Sequence, residues 1–216
     1  MTRTAAIADL FAEPLVPLAP GAVLLRGFAR DRERALIGAL PAIAAVAPFR
    51  HMVVPMGHKM SVAMTNCGDA GWVTDRKGYR YAKADPETDK PWPPMPPVFV
   101  DLAVRAAAAA GYADFAPDSC LINRYEPGAK MGLHKDLNEG DLTKPIVSVS
   151  LGLPATFLFG GAERKGKPQR LALESGDVVI WGGPSRLFFH GVDPVEDGQL
   201  PLTGALRYNL TFRKAL

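Results

Sequence analysis

Two histidines and one aspartate in this sequence could together hold a metal ion. His134 and Asp136 are separated by one residue, and His190 lies 54 residues after Asp136. On a strand, residues i and i+2 point to the same side, so the imidazole and the carboxylate would converge, and His190 could reach them from another strand. Two imidazoles and one carboxylate form the set that holds Fe(II) with adjacent positions open, although zinc also accepts such ligands. The spacing alone is also compatible with a surface histidine beside a solvated aspartate.

A second pattern lies in residues 207–213, RYNLTFR. Apolar and polar residues alternate there, which predicts a strand with Arg207, Asn209 and Arg213 on one face. Guanidinium groups inside a barrel are costly unless they meet an anion, and two of them suit a dicarboxylate. The alternative is an ordinary amphipathic strand whose polar face lies in water.

The two patterns support a single chemistry. An open Fe(II) site needs electrons to activate dioxygen, and a 2-oxo dicarboxylate supplies them by oxidative decarboxylation. Such a cosubstrate would chelate the iron with its 2-oxo acid end and would need a cation at its far carboxylate. Arg207 follows His190 by 17 residues and could provide that cation.

Six segments occur in an order and spacing that resemble one enzyme family. They are MSVAMTNCG, GWVTDRKGYRY, CLINRYEPGAKMGLHKD, PIVSVSLGLPATF, GDVVIWGGPSRLFFHGV and RYNLTFR. They resemble the AlkB family of Fe(II)/2-oxoglutarate-dependent dioxygenases, which demethylate alkylated nucleic acids, and especially its bacterial repair enzymes. The match extends over most of residues 50–213.

The resemblance implies roles for three groups of residues. The iron ligands would be His134, Asp136 and His190. The 2-oxoglutarate contacts would be Asn123, Arg124, Tyr125, Arg207, Asn209 and Arg213, with Arg207 at the distal carboxylate and with Arg213 and Asn209 at the iron-bound end. The nucleotide contacts would be Trp72, Tyr79, Arg80, Tyr81, Asn138 and Arg164, the last of them at a phosphate. Asn138 and His58 depart from the bacterial pattern, which has an acidic residue and a tyrosine there.

The resemblance also implies an activity. Fe(II), 2-oxoglutarate and O₂ would serve to demethylate N-alkylated bases such as 1-methyladenine and 3-methylcytosine in DNA, with release of formaldehyde. Single-stranded DNA is the expected substrate because a base that is already unstacked costs least to bind. The alternatives are demethylation of RNA or tRNA, hydroxylation of a non-nucleic-acid substrate, a zinc-dependent cupin-like enzyme, and a non-catalytic nucleic-acid-binding module.

The elements that must position these residues are short strands. The chain has 216 residues, of which 48% are hydrophobic and 22% charged, as expected of a single globular domain. Its 21 glycines and 20 prolines predict many turns. We therefore predict an α+β, mainly β fold with a double-stranded β-helix (jelly-roll) core at about 118–214. N-terminal helices would pack outside it, and an inserted nucleotide-recognition lid would lie at about 50–95.

Local patterns predict particular elements. A helix over 31–47 would open at Asp31 and be kinked or divided by Pro41. A second helix would begin at Pro96–Pro97 and stop at Gly111. Alternation over 146–153 predicts a half-buried strand.

The remaining features exclude other classes of protein. The net charge of +3 permits a polyanionic partner without requiring one. Cys67 and Cys120 read as reduced core residues. No apolar run is long enough to span a membrane, and Asp9 and Glu13 interrupt any signal peptide. We expect a cytoplasmic monomer, with His51 and His58 outside the metal site.

Overall fold

The computed structural model describes residues 15–216, which form mainly β-strands. Asp9 and Glu13, on which the prediction about a signal peptide depends, lie outside the described residues. The strands are β1 (Leu15–Ala19), β2 (Ala22–Leu25), β3 (Ala63–Gly68), β4 (Gly71–Asp75), β5 (Gly78–Ala82), β6 (Ser119–Tyr125), β7 (Met131–His134), β8 (Ile146–Gly152), β9 (Ala155–Phe159), β10 (Gln169–Leu173), β11 (Val178–Trp181), β12 (His190–Val192) and β13 (Arg207–Arg213). The helices are α1 (Glu33–Val46) and α2 (Pro97–Ala109), with short 3₁₀ helices at Arg30–Arg32 and Gly183–Ser185.

Two antiparallel sheets form the body of the fold. The main sheet has seven strands in the order β1-β2-β11-β8-β13-β6-β3, and the smaller sheet has four in the order β10-β9-β12-β7. One hydrophobic cluster, with Trp181 of the main sheet and Phe157 and Phe159 of the smaller sheet, lies between them. Two sheets that enclose a core in this way are consistent with the predicted jelly roll.

The two helices cover the other face of the main sheet. Leu36 and Leu40 of α1 and Phe99 of α2 join one buried cluster with Leu210 and Phe212 of β13. This packing explains why β8 is buried at all seven positions, although its sequence alternates. The prediction of a half-buried strand was wrong because one face of β8 lies under the helices and the other faces the smaller sheet.

The helix boundaries differ in part from those expected. Asp31 lies in the 3₁₀ helix before α1, and no side-chain hydrogen bond caps the start of α1. Pro41 does not divide α1, which runs continuously for 14 residues with the side chains of Leu36, Leu40 and Ile43 buried. In α2, Pro97 is the first helical residue, where its missing N–H costs nothing.

The main sheet draws on more of the chain than residues 118–214. Strands β1 and β2 extend one edge, and β3 forms the other edge by pairing with β6. Part of the 50–95 segment, strand β3, therefore belongs to the main sheet. Strands β4 and β5 form a separate two-stranded sheet outside it. On β3 and β6, Cys67 and Cys120 are opposite each other as buried free thiols, as expected of core residues. Within residues 15–216, no helix is long and apolar enough to cross a membrane.

We expect Phe99→Ala to destabilise the protein by about 3–5 kcal/mol, because it leaves a cavity between α2 and the main sheet. The Phe99 ring is fully buried and meets Phe212 edge-on at 6.0 Å between centroids. Its neighbour Val100 is 36% exposed, so Val100→Ala is the matched control and should change stability by less than about 1 kcal/mol. Urea unfolding of both variants measures the difference, and equal losses would contradict this account of the packing.

Candidate active site

The three predicted metal ligands come together at one end of the smaller sheet. β7 and β12 are antiparallel neighbours in which His134 and His190 are directly opposite, and their ring centroids are 4.4 Å apart. Their ligand atoms and a carboxylate oxygen of Asp136 all lie within 4.8 Å of one another. Strand pairing therefore closes the long separation in sequence between the two histidines.

Asp136 reaches this cluster for a reason other than the one predicted. β7 ends at His134, so Asp136 does not share a strand with it. The side chain of Arg213, at the end of β13, holds the carboxylate instead. Its Nε and Nη2 donate to Asp136 Oδ2 at 2.9 and 2.6 Å. Burial alone would raise the pKa of Asp136, but Arg213 and the two imidazoles outweigh it and hold this pKa below the usual range.

The ring orientations suit metal binding. Nδ1 of His134 donates to the carbonyl of Gly132 at 2.8 Å, and Nδ1 of His190 donates to that of Phe188 at 3.1 Å. Both Nε2 atoms face Asp136, at 3.6 and 3.8 Å from its oxygens. Burial lowers the pKa of His190 to about 3, so this imidazole is neutral near pH 7, as a metal ligand must be.

This donor set fits Fe(II). It supplies two imidazole nitrogens and one carboxylate oxygen from one side, which leaves other coordination positions free for small ligands. Among residues 15–216 it is the single cluster of histidine, cysteine and acidic side chains with such geometry. His51 lies elsewhere and bonds the carbonyl of Met60 through Nδ1 at 2.9 Å, and His58 is exposed.

A cavity of about 410 Å³ opens beside the three ligands. It lies between the sheets, below the β4–β5 hairpin (residues 71–82). Most of the residues implied by the family resemblance line it, namely Trp72, Tyr79, Asn123, Tyr125, His134, Asp136, Asn138, His190, Arg207, Asn209 and Arg213.

Arg207 forms a cationic floor in this cavity. Its side chain is fully buried, and only Nη2 has a hydrogen-bond partner, Ser150 Oγ at 3.1 Å. Nε and Nη1 have no partner, and no carboxylate within residues 15–216 forms an ion pair with this guanidinium. Burial lowers the pKa of Arg207, as expected of a buried cation without a paired carboxylate. Such a group is suited to bind an anionic ligand.

The other end of the polar face of β13 is arranged differently. The amide of Asn209 donates to Ser148 Oγ at 2.8 Å and accepts from Asn123 at 3.1 Å, so protein partners already occupy it. Arg213 retains an unpartnered Nη1. A carboxylate near the metal would therefore meet Arg213 more readily than Asn209.

Two aromatic rings of the β4–β5 hairpin face the cavity. Trp72 and Tyr79 are stacked with centroids 5.8 Å apart and ring planes at 25°. Tyr79 is 48% exposed, so it also offers apolar surface at the mouth of the cavity. Flat rings at this place are suited to stacking on a planar ligand.

Four predicted residues lie away from the cavity. Arg124 is on the opposite face of β6, with its guanidinium 4.9 Å above the Phe49 ring, because neighbours on a strand point to opposite sides. Arg80 pairs with Asp75 on the hairpin at 2.8 Å. Arg164 is exposed between β9 and β10. Tyr81 points under the hairpin, where its hydroxyl donates to Glu139 at 2.9 Å.

Sequence reasoning missed several residues of the site. Trp181 packs against His190 with centroids 4.8 Å apart, and its buried Nε1 has no partner. Ser148 and Ser150 lie beneath Asn209 and Arg207, and their alternation in β8 was a signal that they share a polar inner face. Glu139 and Arg186 gave no such signal.

Comparisons with known proteins agree with this geometry. A family model described as the 2OG-Fe(II) oxygenase superfamily matches residues 21–213. Over 210 residues the chain is 60% identical to the alpha-ketoglutarate-dependent dioxygenase AlkB of Escherichia coli and 58% identical to that of Salmonella typhimurium. Each match covers 96% of this chain and 97% of the relative. The solved structure of OsALKBH1 superposes with a TM-score of 0.82 at 33% identity, which covers 93% of this chain and 100% of that one.

The fold and the site therefore define a 2OG-Fe(II) oxygenase. Within that superfamily, the chain belongs to the AlkB family. It is an Fe(II)- and 2-oxoglutarate-dependent dioxygenase, and the ligand cluster and the cationic cavity fit that activity.

We expect Asp136→Ala to weaken metal binding by at least about 100-fold. The change removes one of three ligands, and it leaves the positive charge of Arg213 without its main partner beside the two histidine ligands. Titration with Co(II), followed through quenching of tryptophan fluorescence, measures this loss. His58→Ala, a variant outside the cluster, should bind Co(II) as the wild type does. Retention of affinity in Asp136→Ala would rule out this ligand set.

Proposed function

We propose that this enzyme removes N-methyl groups from bases such as 1-methyladenine and 3-methylcytosine in DNA, preferably single-stranded, and releases formaldehyde. Its identity of about 60% to AlkB dioxygenases over nearly the whole chain supports this reading over the alternatives. The single observation that carries the cofactor half of the proposal is the buried, unpaired guanidinium of Arg207 in the cavity beside the metal ligands.

The cavity contains the groups that would bind 2-oxoglutarate at both of its ends. Arg207 would bind the distal carboxylate of 2-oxoglutarate through its free Nε and Nη1, a geometry in which a guanidinium fork matches a carboxylate. The Tyr125 ring, 5.7 Å from that guanidinium, limits its motion. Arg213 would offer Nη1 to the metal-bound end, while Asn209 and Asn123 hold the floor of the cavity in place.

The protein groups position the reactants, and the bound iron supplies the chemistry. With 2-oxoglutarate and O₂, Fe(II) provides the oxidising power to hydroxylate an N-methyl group, and succinate and CO₂ are the by-products. The hydroxymethyl group then leaves the base nitrogen as formaldehyde. The protein's own tasks are to hold the methyl group near the metal and to keep water out of the buried part of the cavity.

The β4–β5 hairpin would bind the substrate base. A base must leave its stack to reach a buried metal, and stacking on aromatic rings offsets part of that cost. We assign this role to Trp72 and Tyr79, with the His134 ring on the opposite side of the base. We also propose that residues 50–95 outside β3 act as the nucleotide-recognition lid and that Arg164 contacts a phosphate.

Asn138 and Lys135 lie at the mouth of the cavity. Among the described residues, Asp136 is the one acidic residue that lines the cavity, and it is a metal ligand. An amide can hydrogen-bond a base, but it offers no charge to a cationic one such as 1-methyladenine. The preference for cationic over neutral methylated bases should therefore be weaker than an acidic residue at position 138 would give. The monomeric state and the cytoplasmic location stay predictions.

The decisive experiment is a mass measurement on methylated oligonucleotides. Single- and double-stranded DNA and RNA with 1-methyladenine or 3-methylcytosine are each incubated with the enzyme, Fe(II) and 2-oxoglutarate. We expect loss of one methyl group from DNA, fastest from single strands and absent when either cofactor is omitted. Faster loss from RNA would favour the RNA alternative, and no loss from any oligonucleotide would refute the proposal.

We expect Arg207→Met to raise the KM for 2-oxoglutarate by at least about 30-fold, since removing one partner of a buried charge pair costs about 2–5 kcal/mol. Arg124→Met is the matched control, because Arg124 is opposite Tyr208 on the neighbouring strand and faces away from the cavity. Its KM should stay within about twofold of the wild type. Succinate formation at varied 2-oxoglutarate gives both values, and equal effects would show that Arg207 does not bind the cosubstrate.

We expect Trp72→Ala to raise the KM for the methylated oligonucleotide by about 5- to 150-fold, because base–aromatic stacking contributes about 1–3 kcal/mol. Slow turnover of 2-oxoglutarate without substrate should persist, since the residues around the metal are unchanged. Met56→Ala, which alters a side chain that is 84% exposed, is the control. A normal KM for the oligonucleotide in Trp72→Ala would show that the hairpin does not bind the substrate base.

A further inference from the structure

A buried carboxylate outside the ligand set connects the hairpin to the metal site. Glu139 follows Asp136 by three residues, and its side chain is 2% exposed. Tyr81 of β5 donates its hydroxyl to Glu139 Oε1 at 2.9 Å. The same oxygen lies 3.4 Å from Nε of Arg213, the residue that holds Asp136. One side chain thus contacts both the hairpin and the arginine that positions a metal ligand.

Arg186 completes the cluster from the segment that leads into β12. Its side chain is 3% exposed, and its Nη2 lies 3.1 Å from Glu139 Oε2. It also donates Nη1 to the backbone carbonyl of Asp136 at 3.1 Å and Nε to that of Lys144 at 2.9 Å. Arg186 therefore fixes the backbone of the metal-ligand loop and lies four residues before His190.

The charges of this cluster balance. Asp136 and Glu139 carry two negative charges, and Arg213 and Arg186 carry two positive ones, all of them buried. A buried ion is stable only when it is paired, so the loss of one member leaves a net charge within a few ångströms of the metal ligands. Loss of the Glu139 charge would make the surroundings of a divalent cation more positive and would weaken its binding.

We propose that Glu139 is a positioning residue with two separable functions: its charge keeps Arg213 and Asp136 in the geometry that binds the metal, and its oxygen anchors the substrate-binding hairpin through Tyr81. This inference rests on the proposed function only in treating the hairpin as the part that contacts nucleic acid. The two functions can be separated because glutamine at position 139 still accepts the tyrosine hydrogen bond but carries no charge.

The test compares three variants by two measurements that need neither nucleic acid nor 2-oxoglutarate. Co(II) affinity comes from quenching of tryptophan fluorescence, to which Trp181 next to His190 is well placed. Anchoring of the hairpin comes from amide hydrogen exchange in residues 71–82. The variants are Glu139→Gln, Tyr81→Phe and the control Tyr112→Phe, which removes a hydroxyl that donates to Gly21 at 2.8 Å on another part of the protein.

Glu139→Gln should raise the Co(II) dissociation constant about tenfold and leave hairpin exchange within twofold of the wild type. Tyr81→Phe should do the opposite, with hairpin exchange about fivefold faster and Co(II) affinity unchanged, as expected for one lost hydrogen bond. Tyr112→Phe should change neither. Normal Co(II) affinity in Glu139→Gln, or normal hairpin exchange in Tyr81→Phe, would overturn the proposal.

Thermal melting shows whether each variant folds. If Glu139→Gln does not fold, Glu139→Asp replaces it, because aspartate keeps the cluster neutral and leaves the Arg186 hydrogen bonds to the metal-ligand loop in place. It should fold and bind Co(II) within about threefold of the wild type, and failure in either respect would refute the role of charge balance. Lack of activity on methylated oligonucleotides would count against the proposed function alone, since neither measurement depends on it.

Discussion

The ion pair between Arg213 and Asp136 is the interaction on which the metal site depends. Asp136 lies beyond the end of β7, so no strand fixes its direction, and two hydrogen bonds from a buried guanidinium do so instead. Two buried charges of this kind are stable only together, and loss of either one costs about 3–5 kcal/mol. The metal ligand is therefore positioned by the far end of β13, in the main sheet, while both histidines come from the smaller sheet. The site exists only when the two sheets are correctly packed.

Strand β13 explains how one short segment can serve both the core and the chemistry. It lies between β6 and β8, so both of its edges are paired along its length. Its apolar side chains, including Leu210 and Phe212, pack under the helices, while Arg207 and Arg213 point between the sheets. Helices on one side and a second sheet on the other bury both faces. A cation placed there is held rigidly and weakly hydrated, which is what selective binding of a carboxylate requires.

The sequence predicts this arrangement only in part. Period-two alternation correctly predicted which residues share the inner face of β13. The same alternation in β6 places Arg124 on the opposite face from Asn123 and Tyr125, so it conflicted with the cosubstrate contact that the resemblance implied for Arg124. Alternation cannot tell whether a polar face is buried, because that depends on which sheet packs against it. It was equally silent on β1, β2 and β3 as members of the main sheet, since pairing between distant short strands leaves no local signal. Glu139 and Arg186 are charged residues in loops, and only the three-dimensional fold brings them together.

The charges around the cavity also indicate that metal and cosubstrate strengthen each other's binding. Asp136 and Glu139 balance Arg213 and Arg186, so among residues 15–216 the buried, unpaired charge in the cavity before any ligand binds is that of Arg207. A divalent metal adds two positive charges, and this raises the attraction for a dianion with one carboxylate near the metal and the other at Arg207. The dianion in turn neutralises the metal, and by linkage each ligand must then strengthen the binding of the other by the same factor. With both bound, the buried part of the cavity returns to the single positive charge of Arg207, so a cationic methylated base is repelled less than it would be with the metal bound alone.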